Sequence, residues 1–159
     1  MGLSIKYHKR APESLGDERD YYDVAINMEV VEHVTNLGEF LSASSSLIRP
    51  GGAMVLSTIN RSLKSLVLAK IGAEYIMRWL PVGTHDWRKF RRPCEIANFI
   101  RPNGFHVRVL KGVHYNPVQD IWGLSNELDV NYLMFATRNK TNPTSPPKDA
   151  DYGCATTPY

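Results

Sequence analysis

The chain has 159 residues, 43% of them hydrophobic, and a formal charge of +3, the size and apolarity of one globular domain, so one domain is the ceiling. Its positive residues are dispersed apart from Arg88-Lys89 and Arg91-Arg92, too thin a basic face for a nucleic-acid footprint. No run approaches ~18 uncharged apolar residues, so no transmembrane helix is expected.

The N-terminus carries neither a signal peptide nor an acid-poor transit segment, and Lys6 stands where a myristoylation signal wants Ser or Thr. Leu3–Tyr7 alternates apolar and polar residues as a short strand would, and Ala11–Asp20 is a charged connection broken by Pro12 and Gly16. The next stretch, YDVAINMEVVEH from Tyr22 to His33, organises the rest. Val24 to Ile26 reads as a buried parallel strand, and open α/β sheets place their ligands at the C-terminal ends of such strands. Chemistry is therefore expected at Met28–His33. Glu29, Glu32 and His33 are spaced i, i+3, i+4, so a helical turn starting near Glu29 gathers two carboxylates and an imidazole on one face. That is half a shell for a divalent cation; a solvated helix face is the plainer reading of the same spacing.

Asn36 with Glu39 three residues on is a capping-box spacing, and Phe40, Leu41, Leu47 and Ile48 fall on one helical stripe. The serines at 42, 44, 45 and 46 are weak helix formers, so this helix depends on packing against a sheet. Pro50-Gly51-Gly52 stops it and leads into Ala53–Thr58, a second buried strand, with Asn60 and Arg61 at its C-terminal end. These two line a substrate mouth, or serve as a loop cap and a surface charge. Ser62–Leu80 is a long helical candidate in which Lys70, Glu74 and Arg78 form a narrow charged stripe while Leu66, Leu68, Ile76, Trp79 and Leu80 occupy the rest. Two readings fit: a helix buried under the domain, or an interfacial helix that dips into lipid. Pro81 and Gly83-Thr84-His85-Asp86 end it in a loop, where adjacent His85 and Asp86 need not meet.

Pro93 and Glu95 open another helix, Cys94 to Ile100, closed by Asn103-Gly104 with Pro102 in its last turn. The two cysteines, Cys94 and Cys154, form neither a metal spacing nor a disulfide framework, which makes a reducing compartment the default. Phe105–Val113 and Val130–Arg138 read as an antiparallel pair, with His114-Tyr115-Asn116-Pro117 as a turn after the first. Residues 139–159 are rich in Pro, Thr, Asp and Lys and are expected to be a disordered tail after a domain of residues 1–138.

The strings MEVVEHV, RPGG, STINR, GAEY, LPVGTHDWRKF, GVHYNP and DVNYL, in this order, resemble the C-terminal part of the ubiquinone-biosynthesis O-methyltransferases, from about Leu3 to Arg138. The resemblance implies an incomplete Rossmann-like class I methyltransferase sheet of about five strands with flanking helices, the last two strands an antiparallel pair. It implies S-adenosyl-L-methionine as cofactor with Met28 beside it, although Met28 also suits a core. It implies methylation of a polyprenylated catechol or quinol, with Mg²⁺ (or Zn²⁺ or Mn²⁺) held by Glu29, Glu32 and His33 as Lewis acid and template. Peripheral membrane contact through residues 62–80 and a coenzyme Q biosynthetic complex would accompany it. The location implied is the matrix side of the mitochondrial inner membrane in a eukaryote, and a membrane-associated cytoplasmic one otherwise. No glycine-rich turn of the D-x-G-C-G-x-G kind precedes Tyr22, so the chain looks like a family member without its main cofactor-binding half. It would then act as a truncated enzyme or as an inactive membrane-associated scaffold.

Overall fold

The computed structural model describes residues 2–67, 87–116 and 118–140. Its centre is a mixed five-stranded sheet in the order β1-β2-β5-β3-β4. The strands are β1 (Tyr22–Met28), β2 (Ile48–Ile59), β3 (Phe105–Asn116), β4 (Ile121–Ser125) and β5 (Asn131–Arg138). β1 and β2 are parallel, and β5 lies antiparallel between β2 and β3.

Helices α1 (Leu37–Leu47) and α3 (Pro93–Ile100) cover one face, and a single turn, α2 (Leu63–Ser65), comes after β2. At the start of α1 the Asn36 side chain accepts from the Glu39 backbone N–H at 3.2 Å, as the capping spacing predicts. At the start of α3 the Glu95 carboxylate reaches back to the Arg92 N–H at 2.9 Å, and after one 3₁₀ turn Gly104 closes the chain at φ +81°. Leu41 of α1 and Ile96 and Ile100 of α3 are fully buried against Met54 and Leu56 of β2 and Met134 and Ala136 of β5. Residue alternation explains the sheet side of this layer: Met54 and Leu56 sit beside Ala25 and Asn27 of β1 and Ala136 and Met134 of β5.

The other face is bare among the described residues. Val24 and Ile26, expected to be buried, are 48% and 68% exposed, because their register places them beside Ala53 and Val55, and then Thr137 and Phe135, on the side away from α1 and α3. β1 is also the edge of the sheet. The Glu29 N–H donates to the Ser57 carbonyl on β2 at 3.1 Å, so by alternation the backbone groups of Val24, Ile26 and Met28 point to the free edge.

Other expectations change here too. Leu3–Tyr7 forms no strand and its apolar side chains are exposed; it pairs with none of the described strands. The fifth strand is instead β4, which pairs with residues 112–116 of β3, so His114, Tyr115 and Asn116 belong to a hairpin ladder and not to a turn. β2 begins at Ile48: Pro50-Gly51-Gly52 is an irregular strand entry, where a Cβ on Gly52 would lie 2.6 Å from the Asp23 carbonyl. Cys94 is buried in α3.

Candidate active site

The C-terminal ends of β1 and β2 carry the polar groups, as the strand directions require. β1 leaves the sheet through Glu29, whose φ of +52° is left-handed, a conformation that costs an ordinary residue about 1–2 kcal/mol. The chain then makes a tight turn, with the His33 N–H on the Val30 carbonyl at 2.9 Å, and not a helical turn begun at Glu29. The i, i+3, i+4 spacing therefore does not act as helical geometry.

Both carboxylates are instead anchored to the end of β2. The Ser57 hydroxyl donates to Glu29 Oε1 at 2.7 Å, and the Thr58 hydroxyl donates to Glu32 Oε2 at 3.0 Å. Glu32 is buried and Glu29 and His33 are exposed. Ser57 and Thr58 point to opposite faces of β2, so the two carboxylates are drawn to different sides of the sheet. Among the described residues no group of three His, Cys, Asp or Glu is arranged to hold a metal ion. The proposed donor set does not converge as it stands.

Beside Thr58 in the register lies Tyr132, whose hydroxyl donates to the Arg91 carbonyl at 3.0 Å. Burial, followed by the nearby charges of Glu95 and Glu32, holds its pKa far above the ordinary value of 10.0, so this phenol stays protonated and donates. Asn60 takes the plainer of its two readings, capping the Leu128 carbonyl at 2.8 Å. Arg61 forms a half-buried ion pair with Glu95, and the Trp87 indole N–H reaches the Ser62 carbonyl at 3.2 Å. Of the helix expected over Ser62–Leu80 the described residues include the single turn α2, where the Ser62 hydroxyl accepts from the Ser65 N–H at 2.9 Å. Residues 68–86, with Ile76, Trp79, His85 and Asp86, lie outside the described residues.

Met28 is 47% exposed on the bare face, so it is no core residue here. Next to it Asn27 is buried, and its side-chain N–H₂ has no hydrogen-bond partner among the described residues. Both Asn27 and Ile26 line a groove of about 310 Å³ that runs along the free edge of β1. Sequence reasoning missed Ser57, Thr58 and Tyr132. A Ser-Thr pair ending an apolar strand was the one visible signal, and only the register shows which carboxylate each hydroxyl meets.

A family model described as "Methyltransferase domain" matches residues 3–110. The ubiquinone biosynthesis O-methyltransferase of Bartonella tribocorum is 45% identical over 86% of this chain and 56% of its own length. The protein of the same name from a Bradyrhizobium species is 46% identical over 84% and 53%. This chain thus spans about half the length of the curated relatives it matches. Among solved structures, a putative S-adenosylmethionine-dependent methyltransferase from Listeria monocytogenes superposes with a TM-score of 0.56 at 15% identity, over 87% of this chain and 71% of that one; this likeness speaks for the fold alone.

Proposed function

This chain belongs to the methyltransferase-domain family, and from that premise we propose that it is the acceptor-side part of an S-adenosylmethionine-dependent O-methyltransferase acting on a polyprenylated catechol or quinol of ubiquinone biosynthesis. The observation that carries the reading is identity of about 45% sustained over 86% of the chain to proteins of that name.

S-adenosylmethionine supplies, when bound, a methyl group on a positively charged sulfur. The exposed side chain of Met28, at the strand end where this fold class binds ligands, fits one wall of such a site. Methyl transfer to a phenolic oxygen requires that oxygen to shed its proton and to be held in line with the methyl carbon. In this reading the Glu29 carboxylate, held by Ser57 at the open end of the sheet, accepts the hydroxyl's proton or its hydrogen bond. Glu32, held by Thr58, is the buried charge that keeps the turn in place.

Divalent-cation binding by Glu29, Glu32 and His33 is a separate proposal, supported by their place on one turn at the ligand end of β1. It requires the carboxylates to leave Ser57 and Thr58, and titration with Mg²⁺, Mn²⁺ and Zn²⁺ followed by calorimetry tests it. Lipid contact through residues 62–80, and with it a membrane location and a place in a biosynthetic complex, is likewise a proposal; liposome flotation that survives polar replacement of Leu66, Ile76 and Trp79 would remove it. The test of the main reading joins this chain to the remaining portion of a relative and assays methylation of a catechol. Turnover that falls on Glu29→Gln supports it. A correctly folded chimaera that binds S-adenosylmethionine but never methylates would leave the scaffold role.

A further inference from the structure

The end of the sheet opposite Glu29 and Glu32 holds a second cleft, of about 300 Å³, between the entry to β2, the exit of β5 and the turn after α3. Seven residues of β1 separate the two ends, roughly 23 Å at the usual strand rise. Arg19, Arg138 and Lys140 line the cleft together with Ser45, and among the described residues no carboxylate does. Arg138 is fixed by Asp20 and by the Ile48 carbonyl. Arg19 and Lys140 make no ion pair with any described residue. Ser45 of α1 is fully buried, and its hydroxyl has no hydrogen-bond partner among the described residues.

A buried hydroxyl without a partner is unfavourable, and two cations that no described carboxylate compensates call, beside it, for an acceptor-rich anion. We propose that this cleft binds a phosphoryl group. Its two charges match those of Arg19 and Lys140, and its oxygens accept from guanidinium, ammonium and the Ser45 hydroxyl together. A carboxylate would leave one cation uncompensated. The phosphoryl group comes either from a free phosphate compound or from the headgroup of an anionic lipid. The site does not depend on the methyl-transfer reading, since none of its residues lies at the other end of the sheet.

The test uses the full 159-residue chain in two arms: calorimetric titration with inorganic phosphate, and flotation with phosphatidylcholine vesicles with and without phosphatidic acid. Saturable phosphate binding that weakens roughly tenfold or more in Arg19→Gln/Lys140→Gln, the loss expected for charge-assisted hydrogen bonds, supports the site with a free phosphate as its ligand. Flotation only with phosphatidic acid, abolished by the same pair, supports it with a lipid as its ligand. Both replaced residues are exposed, so circular dichroism is expected to show an unchanged fold. Absence of binding in both arms, or binding that survives the double variant, overturns the proposal.

Discussion

Glu29 illustrates how one backbone angle decides a site. Its positive φ makes the strand exit a sharp corner, so glycine is the one replacement that relieves strain while removing the carboxylate. Glu29→Gly is expected to be more stable than Glu29→Ala by about 1 kcal/mol in urea unfolding; equal stability would mean that the corner is not held. Glu32 gives the complementary case. Thr58→Val takes away the hydroxyl that meets its buried carboxylate and is expected to cost about 1–3 kcal/mol, whereas Thr58→Ser keeps the donor and costs less. Tyr132 supplies a pH dependence. Its folded pKa is raised by burial, so both states hold the proton below about 10 and the contribution is complete there. Above that value the unfolded chain ionises first, and stability falls as pH rises. Chemical denaturation from pH 9 to 11 is expected to show a shallower fall for Tyr132→Phe, which loses about 1 kcal/mol at neutral pH with the Arg91 hydrogen bond. The acidic positions were legible in the sequence because they cluster within one short stretch. Their arrangement was not, since the spacing argument assumed helical dihedrals that Glu29 does not adopt, and the hydroxyls that hold the carboxylates come from 28 and 26 residues away.

Elements bounded by local chemistry were read well from the sequence, and elements that depend on a neighbour were not. α1 and α3 announce themselves through Asn36 and through Pro93 with Glu95. Leu3–Tyr7 and β4 show the other side: a short alternating segment becomes a strand only when it pairs with a partner's backbone, and β4 pairs with β3 while the N-terminal segment pairs with none of the described strands. The same dependence leaves β1 with apolar side chains in solvent and an unpaired edge, features that promote association. Ile26→Lys and Phe135→Lys fall on the bare face. Each is expected to change unfolding free energy by less than about 0.5 kcal/mol, yet to raise the monomeric fraction in size-exclusion chromatography with light scattering and to lower dye binding. A large loss of stability would instead mean that this face is covered.

At the scale of the molecule, parallel strands are normally buried on both faces, yet the β1–β2 pair is covered on one and open along an edge. The relatives are nearly twice as long as the stretch that matches. A methyl-donor site built from one strand end lacks the backbone donors of a glycine-rich turn, which seat such a ligand by close approach. The chain alone is therefore expected to bind S-adenosylmethionine more weakly than calorimetry at micromolar concentrations detects. Micromolar binding by the purified chain would show that β1 and β2 suffice. Joined to the remaining portion of a relative, it is expected to recover that binding, and the variants then separate binding from chemistry. Glu29→Ala or Glu32→Ala is expected to abolish catechol methylation while S-adenosylmethionine affinity stays within about threefold, because in this reading Met28, and neither carboxylate, faces the methyl donor. If turnover survives both replacements, the acidic turn is a structural corner of the sheet, and the acceptor's proton is taken by a group outside it.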